Sequence, residues 1–559
     1  MSDRYGWWGR ILRVDLAART TSVEEVDEAT FRRCPGGRSL IARYLLAEVP
    51  AGTDALAPAN RLVFAPGVLT GTPLSGASRH SVGAKSPLSG GFGEAEVGGF
   101  WGAELKRAGW DGIVVQGAAA AEERLKAETG ERLARVCEIG PGGERLVRMA
   151  GVVNDCKDIA GRTGMGAVMG SKKLKAIVVK GSRNLPLADA ATIKHVGRWV
   201  ADTLQENHWY FHNYGTGMGL DGYSLIGGMA VRNYEGGVFE RAADISAETL
   251  LERGLRVKME ACWACSVRCK KVVKLEAPYR IDPKYGGPEF ESLAALGSQC
   301  GVGDLEAVSK ANERCNALGI DTISTGSTIA WAMDLRRRGI LPDAAFDGVP
   351  AELGSAEALL AGIEAIGHRC GLGDLLAEGS VRAARELGGA ELLTAVKGLE
   401  IAMHDPRQRT EWGRAVRLSY ATSPGGGDHM QTHLPAAGGK NVLGMCLFLK
   451  YDDARMVEIT NAVTGWGIDV AELNAIAERG LTLARLFNIR EGFTPADDVL
   501  PQRLHEGIGN GPLKGERVDP DQFFAARRMY YQMAGWDPET GQPTPAKLAE
   551  LGLEEARAT

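Results

Sequence analysis

The chain has 559 residues, 44 % hydrophobic and 24 % charged, with a net charge of −5, so two to four soluble domains are expected and core burial is assured. No basic stripe marks a nucleic-acid binder, no run of 18 apolar residues marks a membrane span, and the start Met1-Ser-Asp-Arg-Tyr-Gly-Trp-Trp has no apolar core of a secretion signal. Ten cysteines are too few for a disulfide scaffold and fit a reducing, cytoplasmic setting, whereas 74 glycines, about 13 % against a usual level of roughly 7 %, suggest many close approaches of backbone to ligand.

The fold class read from the pattern is α/β, then mostly α. Strands are expected at Ile11–Leu16, Arg61–Ala65, Gly112–Gln116 and Ala176–Lys180, with a short helix over Gly99–Ala108. From about Ala190 helical periodicity takes over: Thr192–Leu204, Phe290–Gln299, Leu305–Leu318, Thr322–Arg337, Ala356–His368, Asp453–Val463 and Val470–Phe487. Breaks near Gly181–Pro186 and Val396–Asp405 suggest three units, a β-rich domain over 1–190 and two mainly helical ones over 191–397 and 398–559.

Two glycine-rich blocks interrupt the first unit. Ser75–Gly102 runs into a helix start, where free N–H groups favour phosphate and Arg79 and Lys85 could add charge. It is neither a Walker A loop nor a dinucleotide fingerprint, and turn-rich β structure explains it more simply. Ala160–Lys175 reads either as a phosphate or pterin contact around Arg162, or as a tight loop before the next strand.

The densest chemistry is Cys262-x2-Cys265-x3-Cys269, expected between helices. Three close thiols suit a soft metal centre, either iron–sulfur or zinc, and call for a fourth ligand. The remaining cysteines are Cys34, Cys137, Cys156, Cys300, Cys315, Cys370 and Cys446. Cys446 ends Asn441-Val-Leu-Gly-Met-Cys446, which echoes Asn316-Ala-Leu-Gly-Ile-Asp321 and suggests two loops for two copies of one ligand.

These motifs occur with Gly9–Leu16, Ala84-Lys-Ser-Pro-Leu88, Gly99–Gly112, Gly164–Ile177, Gly287–Ser292, Leu318–Gly326, His404-Asp-Pro-Arg407, Tyr420–Ser423 and Gly535–Thr544. Together they resemble the tungsten-containing aldehyde:ferredoxin oxidoreductase family along nearly the whole chain. The resemblance implies a first domain that holds pterin phosphates, followed by two helical domains. It implies tungsten between two pyranopterins, a magnesium ion shared by their phosphates, and a [4Fe–4S] cluster on Cys262, Cys265, Cys269 and Cys446. Side chains do not choose tungsten over molybdenum, because pterin dithiolenes are the main metal ligands.

By position the pterin contacts fall on Arg79, Glu96, Gly98, Gly161, Arg162, Asn316, Ile320, Asp321, Asn441 and Met445. Asn316 and Asn441 replace aspartates, so each contact keeps a hydrogen bond without a charge. Asp158 stands where an arginine is common. Glu291 and His429 match an active-site carboxylate and histidine suited to proton transfer, although a Glu at a helix start is ordinarily a dipole partner. His404 and His433 rival His429, and the segment between His429 and Cys446 is shorter than in typical members.

The implied reaction is oxidation of an aldehyde to a carboxylic acid, with electrons leaving through the cluster to ferredoxin or a small Fe–S subunit. A second reading keeps the cofactor for low-potential reduction of an aryl-CoA or a carboxylic acid. A third, from another class, is a scaffold with structural zinc on the four cysteines. A homo-oligomer is compatible with the resemblance, but no ligand pair for a dimer-bridging metal stands before Asn316, so that metal is not expected.

Overall fold

A computed structural model describes residues 4–118, 133–342, 345–431 and 435–557. The first region holds a six-stranded sheet of β1 (Arg10–Asp15), β2 (Thr20–Glu25), β3 (Leu62–Pro66), β4 (His80–Lys85), β5 (Phe92–Val97) and β6 (Gly112–Gln116), in the order β2-β1-β6-β3-β4-β5. Only β1 and β6 pair in parallel; the other neighbours are antiparallel. A second sheet contains β7 (Arg135–Glu138), β8 (Val152–Asn154), β9 (Asp158–Ala160) and β10 (Ala176–Val179), in the order β10-β7-β8-β9. The strands expected from pattern stand within a residue or so of these positions. The glycine-rich block Ser75–Gly102 contains the β4–β5 hairpin, and Lys85 pairs with Glu491. Both faces of β4 are buried, so no polar alternation announces it.

Three helices of the second region fall at their expected limits, Leu305–Leu318, Thr322–Arg337 and Ala356–His368. Each opens on a side chain that accepts a free N–H of the first turn, from Asp304, Asp321 and Ser355 respectively. The expected helix Phe290–Gln299 is split. Gly297 adopts φ −101°, ψ −95°, ending the Phe290–Leu296 helix before a 3₁₀ turn at Ser298–Cys300. The cysteine loop also differs from expectation. It joins β11 (Arg256–Glu260) and β12 (Lys270–Val273) of an antiparallel hairpin rather than two helices. Val257, Val272 and Val273 favour strand there.

Two large cores cross the boundaries read from sequence. One gathers Leu220–Tyr420 side chains with Leu500, Leu504 and Phe523. The other packs Leu40, Ile41 and Leu45 of the first region against Val442–Cys446 and the Val470–Arg490 helix. The 397/398 boundary falls in the turn between β13 (Ala395–Val396) and β14 (Leu399–Glu400), which pair across it. Among the described residues no helix is long and apolar enough to cross a membrane.

Candidate active site and metal centre

The two echoed segments fold alike. Gly319 has φ +68° and Gly444 φ +82°, the left-handed conformation that glycine tolerates best at a helix end. The Gly319 and Ile320 amides donate to the carbonyls of Asn316 and Cys315. Gly444 and Met445 donate in the same way to Asn441 and Lys440. Both helices therefore end in one double-bonded cap, with the asparagine at the same place in each.

The first region grips both caps with matching contacts. Gly151 N donates to Gly319 O (2.9 Å) and Asp321 N to Met149 O (3.0 Å); Arg79 N donates to Gly444 O (3.2 Å) and Cys446 N to Gly76 O (2.9 Å). A Cβ on Gly140 would lie 2.4 Å from the Leu318 carbonyl carbon, and one on Gly67 would lie 2.1 Å from that of Leu443. Only glycine permits either approach. An arginine then faces the last residue of each segment: Arg162 Nε lies 3.4 Å from Asp321 Oδ2, and Arg79 Nη2 donates to Cys446 Sγ at 3.2 Å.

The cysteine hairpin meets the second cap. Trp263 N donates to Gly99 O (3.0 Å) and Ser266 N to Ser75 Oγ (3.0 Å), which presses the loop onto the first region. A Cβ on Gly98 would sit 3.0 Å from Cys262 Sγ. Burial, then the proximity of Cys446 and Cys262, pushes the Cys265 thiol up. Burial, then Glu289 and the other three sulfurs, does the same to Cys269. The four sulfurs thus share one neighbourhood, in which burial disfavours the thiolates of Cys265 and Cys269 unless a cationic centre compensates it, which fits a bound metal or cluster.

Beside the thiols lies a cavity of about 850 Å³. Arg79, Glu96, Gly98, Gly161, Arg162, Asp321 and Asn441 line it, together with Cys269, Glu291 and His429. Asn316, Ile320, Met445, Cys262, Cys265 and Cys446 do not line it. Asn316 donates to Tyr285 O (3.0 Å), while Ile320 and Met445 are fully buried. Asn441 Nδ2 bridges Glu94 Oε1 and Glu96 Oε2, each at 3.0 Å. Glu94 is locked to Arg38 at 2.7 Å. Glu94 and Arg38 escaped the sequence reading, although Glu94 lies one strand repeat from Glu96 and so shares its face. Burial lowers the pKa of Arg79, but facing Cys446, Glu96 and Cys262 raise it well above its usual value. Burial likewise lowers that of Arg162, and Asp321, Asp428, Glu400 and Glu291 together raise it. Both guanidiniums stay charged, with Arg162 Nε 3.4 Å from Asp321 Oδ2 and Arg79 Nε 3.7 Å from Glu96 Oε1, so the cavity wall carries positive charge that suits an anionic cofactor. Asp158 lies on the same wall. Lys270, next to Cys269, donates to it and thereby brings a cation back to the place where an arginine is common.

At the cavity's far side Glu291, in the first turn of the Phe290–Leu296 helix, meets two histidines. Its Oε2 accepts from Met403 N at 2.8 Å; its Oε1 lies 3.4 Å from His404 Nε2 and 3.8 Å from His429 Nε2. Among the described residues, Glu291 Oε1 and His429 Nδ1 have no hydrogen-bond partner. Burial raises the Glu291 pKa against the lowering effect of His429 and the Met403 N–H. The two imidazoles cross edge to face, with centroids 5.0 Å apart. His404 is therefore as close to the carboxylate as His429, and His433 lies outside the described residues.

Two family profiles match the chain. "Aldehyde ferredoxin oxidoreductase, N-terminal domain" covers residues 11–122 and 118–181, and "domains 2 & 3" covers 195–442 and 436–553. The chain belongs to the aldehyde ferredoxin oxidoreductase family. It is 36 % identical to the tungsten-containing aldehyde ferredoxin oxidoreductases of Thermococcus kodakarensis and Pyrococcus furiosus, over 99 % of this chain and 100 % of each relative. A Pyrococcus furiosus aliphatic sulfonate oxidoreductase, WOR-like subunit, is 30 % identical over 99 % of this chain and 98 % of its own. Among solved structures, the active-site complex BamBC of benzoyl coenzyme A reductase with 1,5-dienoyl-CoA superposes with a TM-score of 0.85 at 23 % identity, covering 100 % of this chain and 98 % of that one. At that identity the likeness carries the fold alone.

Proposed function

We propose that this chain is a tungsten–pterin oxidoreductase that converts an aldehyde and water into a carboxylic acid, two protons and two electrons. The observation that carries the reading is a single cavity walled at once by Glu291 and His429, by Arg79 and Arg162, and by Cys269. The four-cysteine set Cys262, Cys265, Cys269 and Cys446 would hold a [4Fe–4S] cluster. Asn316 and Asn441, at matching places in two like caps, would each offer a hydrogen bond to one of two pterins, with a magnesium ion between the pterin phosphates. When bound, the tungsten–pterin group supplies the two-electron oxidation and the cluster passes those electrons singly to ferredoxin or a small Fe–S protein.

The chain's own residues supply charge, position and proton transfer. Arg79 and Arg162 set positive charge against the phosphates. Met403 N–H pins one oxygen of Glu291, leaving Oε1, which has no hydrogen-bond partner among the described residues, to take the proton. Its raised pKa makes it a better proton acceptor than an exposed carboxylate, and His429 passes the proton on. In domain terms, 1–190 would cradle phosphates, 191–397 would bring the hairpin thiols and the first asparagine, and 398–559 the second asparagine and Cys446.

Elemental analysis of anaerobically purified protein tests the reading. Tungsten or molybdenum with about four irons per chain supports it; zinc alone overturns it. Aldehyde-dependent viologen reduction should exceed CoA-thioester reduction. Glu291→Gln with full metal loading is expected to lower turnover by about 10²–10⁴-fold, and full turnover in both Glu291→Gln and His429→Ala removes these roles.

A further inference from the structure

We infer that His404 is a positioning residue locked as its Nε2–H tautomer, and that it holds Glu291 as an aimed carboxylate while His429 remains free to exchange protons. The lock is a directed chain of hydrogen bonds. Gly413 N donates to Thr410 Oγ1 (3.0 Å), so the Thr410 hydroxyl hydrogen goes to Gln408 Oε1 (2.8 Å). That fixes the orientation of the Gln408 amide, whose Nε2 donates to Asp405 O (3.0 Å) and to Tyr223 Oη (3.2 Å). A phenol has one hydrogen to give, and with the Gln408 amide donating to Tyr223 Oη, the acceptor within reach of that hydrogen is His404 Nδ1, 2.6 Å away. Nδ1 is therefore the acceptor and Nε2 carries the hydrogen, facing Glu291 Oε1 at 3.4 Å.

Packing holds the ring in this pose. Phe290 stacks on it with centroids 4.6 Å apart, and Tyr223, Trp412 and His429 meet it edge on. Burial, then the neighbouring His429, lowers its pKa well below the usual value, so the ring is neutral. Glu291, His404 and His429 place potential ligand atoms within 4.8 Å of one another, but the one ring lone pair of His404 already accepts from Tyr223. The trio therefore reads as a proton-handling group rather than a cation site. His429 has no such chain: its Nδ1 is unpartnered.

The inference rests on the reading of Glu291 as the proton acceptor. The His404 N–H dipole, aimed at Glu291 Oε1 from 3.4 Å without closing a hydrogen bond, favours the charged carboxylate, so losing it should move the acidic limb of the kcat/KM profile to higher pH. Among the described residues, the charged and titratable groups that face Glu291 and His404 are His429, Arg162, Asp428, Tyr223, Tyr234 and Tyr420. None of these is altered in the His404 variants.

The test compares His404→Leu and His404→Gln as metal-loaded holoenzymes. Leu is expected to lower kcat by about 100-fold, the cost of a misplaced reacting group, with little change in KM and with the acidic limb moved up. Gln offers an N–H but titrates nowhere in range, so it should restore both. Equal loss in both variants means that His404 itself exchanges protons, and an unmoved limb in both means a merely structural role; either overturns the inference. If His404→Leu loses its metals, Tyr223→Phe decides. It should lower kcat about five- to tenfold, the worth of one hydrogen bond, and raise the limb, and wild-type behaviour overturns the inference. Histidine-¹⁵N spectra of the oxidised holoenzyme report the tautomer directly. An Nδ1–H ring at His404 sinks the lock whatever Glu291→Gln does, whereas an Nε2–H ring with a fully active Glu291→Gln removes only the catalytic reading.

Discussion

Glu291 is a residue whose burial serves the site against stability. Its pKa is raised by burial, so the folded state binds the proton more tightly than the unfolded chain does. Its stabilising contribution is then complete below the unfolded pKa, near 4.3, and is lost as pH rises through the folded value. Glu291→Gln removes the buried charge, and its amide oxygen can still accept from Met403 N–H. Calorimetry of metal-matched protein should therefore show Tm raised by about 1–2 °C at pH 8, with the gain shrinking toward pH 5. A constant difference across that range would mean the carboxylate is not strained by its setting. Lys270 makes a complementary case. Its ammonium donates to Asp158; burial lowers its pKa, but facing Asp158 and Cys262 raise it, and positive charge beside a thiolate stabilises the more negative, reduced state of a cluster. Lys270→Met should lower the cluster's midpoint potential by tens of millivolts in an EPR-monitored titration. An unchanged potential would remove Lys270 from the cluster's environment.

At the scale of elements, the sequence was most legible where local chemistry fixes both ends. The Leu305–Leu318 helix opens on Asp304 and closes on Gly319, and both signals can be read without knowledge of the fold. The echo of Asn316–Asp321 in Asn441–Cys446 was legible for the same reason, since it is one capping motif written twice. The β4–β5 hairpin was legible only as turn-rich β structure, without strand limits, because its strands are buried and glycine-rich, and what places them is contact with Ile41, Met165 and Asn488 far along the chain. His404 was visible only as a rival, because its partners Tyr223 and Gln408 come from separate segments.

The twin caps can be told apart by a pair of substitutions. Alanine at Gly444 must adopt φ near +82° and would place its Cβ 2.2 Å from Thr70 Oγ1. Thr70 cannot move away easily, since it accepts from Gly67 N and donates to Arg79 O. Alanine at Gly319 meets the Gly140 amide at 2.7 Å. Each pays at least about 1 kcal/mol for left-handed backbone. Only Gly444→Ala displaces Cys446, so it alone should lose iron and the cluster's visible absorbance. Equal iron in both variants would detach Cys446 from the cluster.

In the whole molecule the last region does not stand alone. Its Pro435–Leu443 helix and Cys446 belong to the core built on the first sheet, while Leu500, Leu504 and Phe523 belong to the core of the middle helices. Composition breaks marked a boundary at 397, but such breaks report local chain texture and not which core a later helix enters. The four cysteines proposed to hold the cluster sit where these regions meet: Cys446 N is held by Gly76 O, and Trp263 N by Gly99 O. A centre bound to the native arrangement stabilises it by mass action, so the effect of its removal should be local before it is global. After iron is stripped anaerobically, hydrogen exchange should quicken first in Cys262–Cys269 and Lys440–Leu449. The Thr322–Arg337 helix, buried along nearly its whole length and remote in sequence from every thiol of the set, should keep its protection until global unfolding. Uniform loss across all three segments would show that the cysteines secure the molecule as a whole, and unchanged exchange would show that they bind nothing the fold depends on.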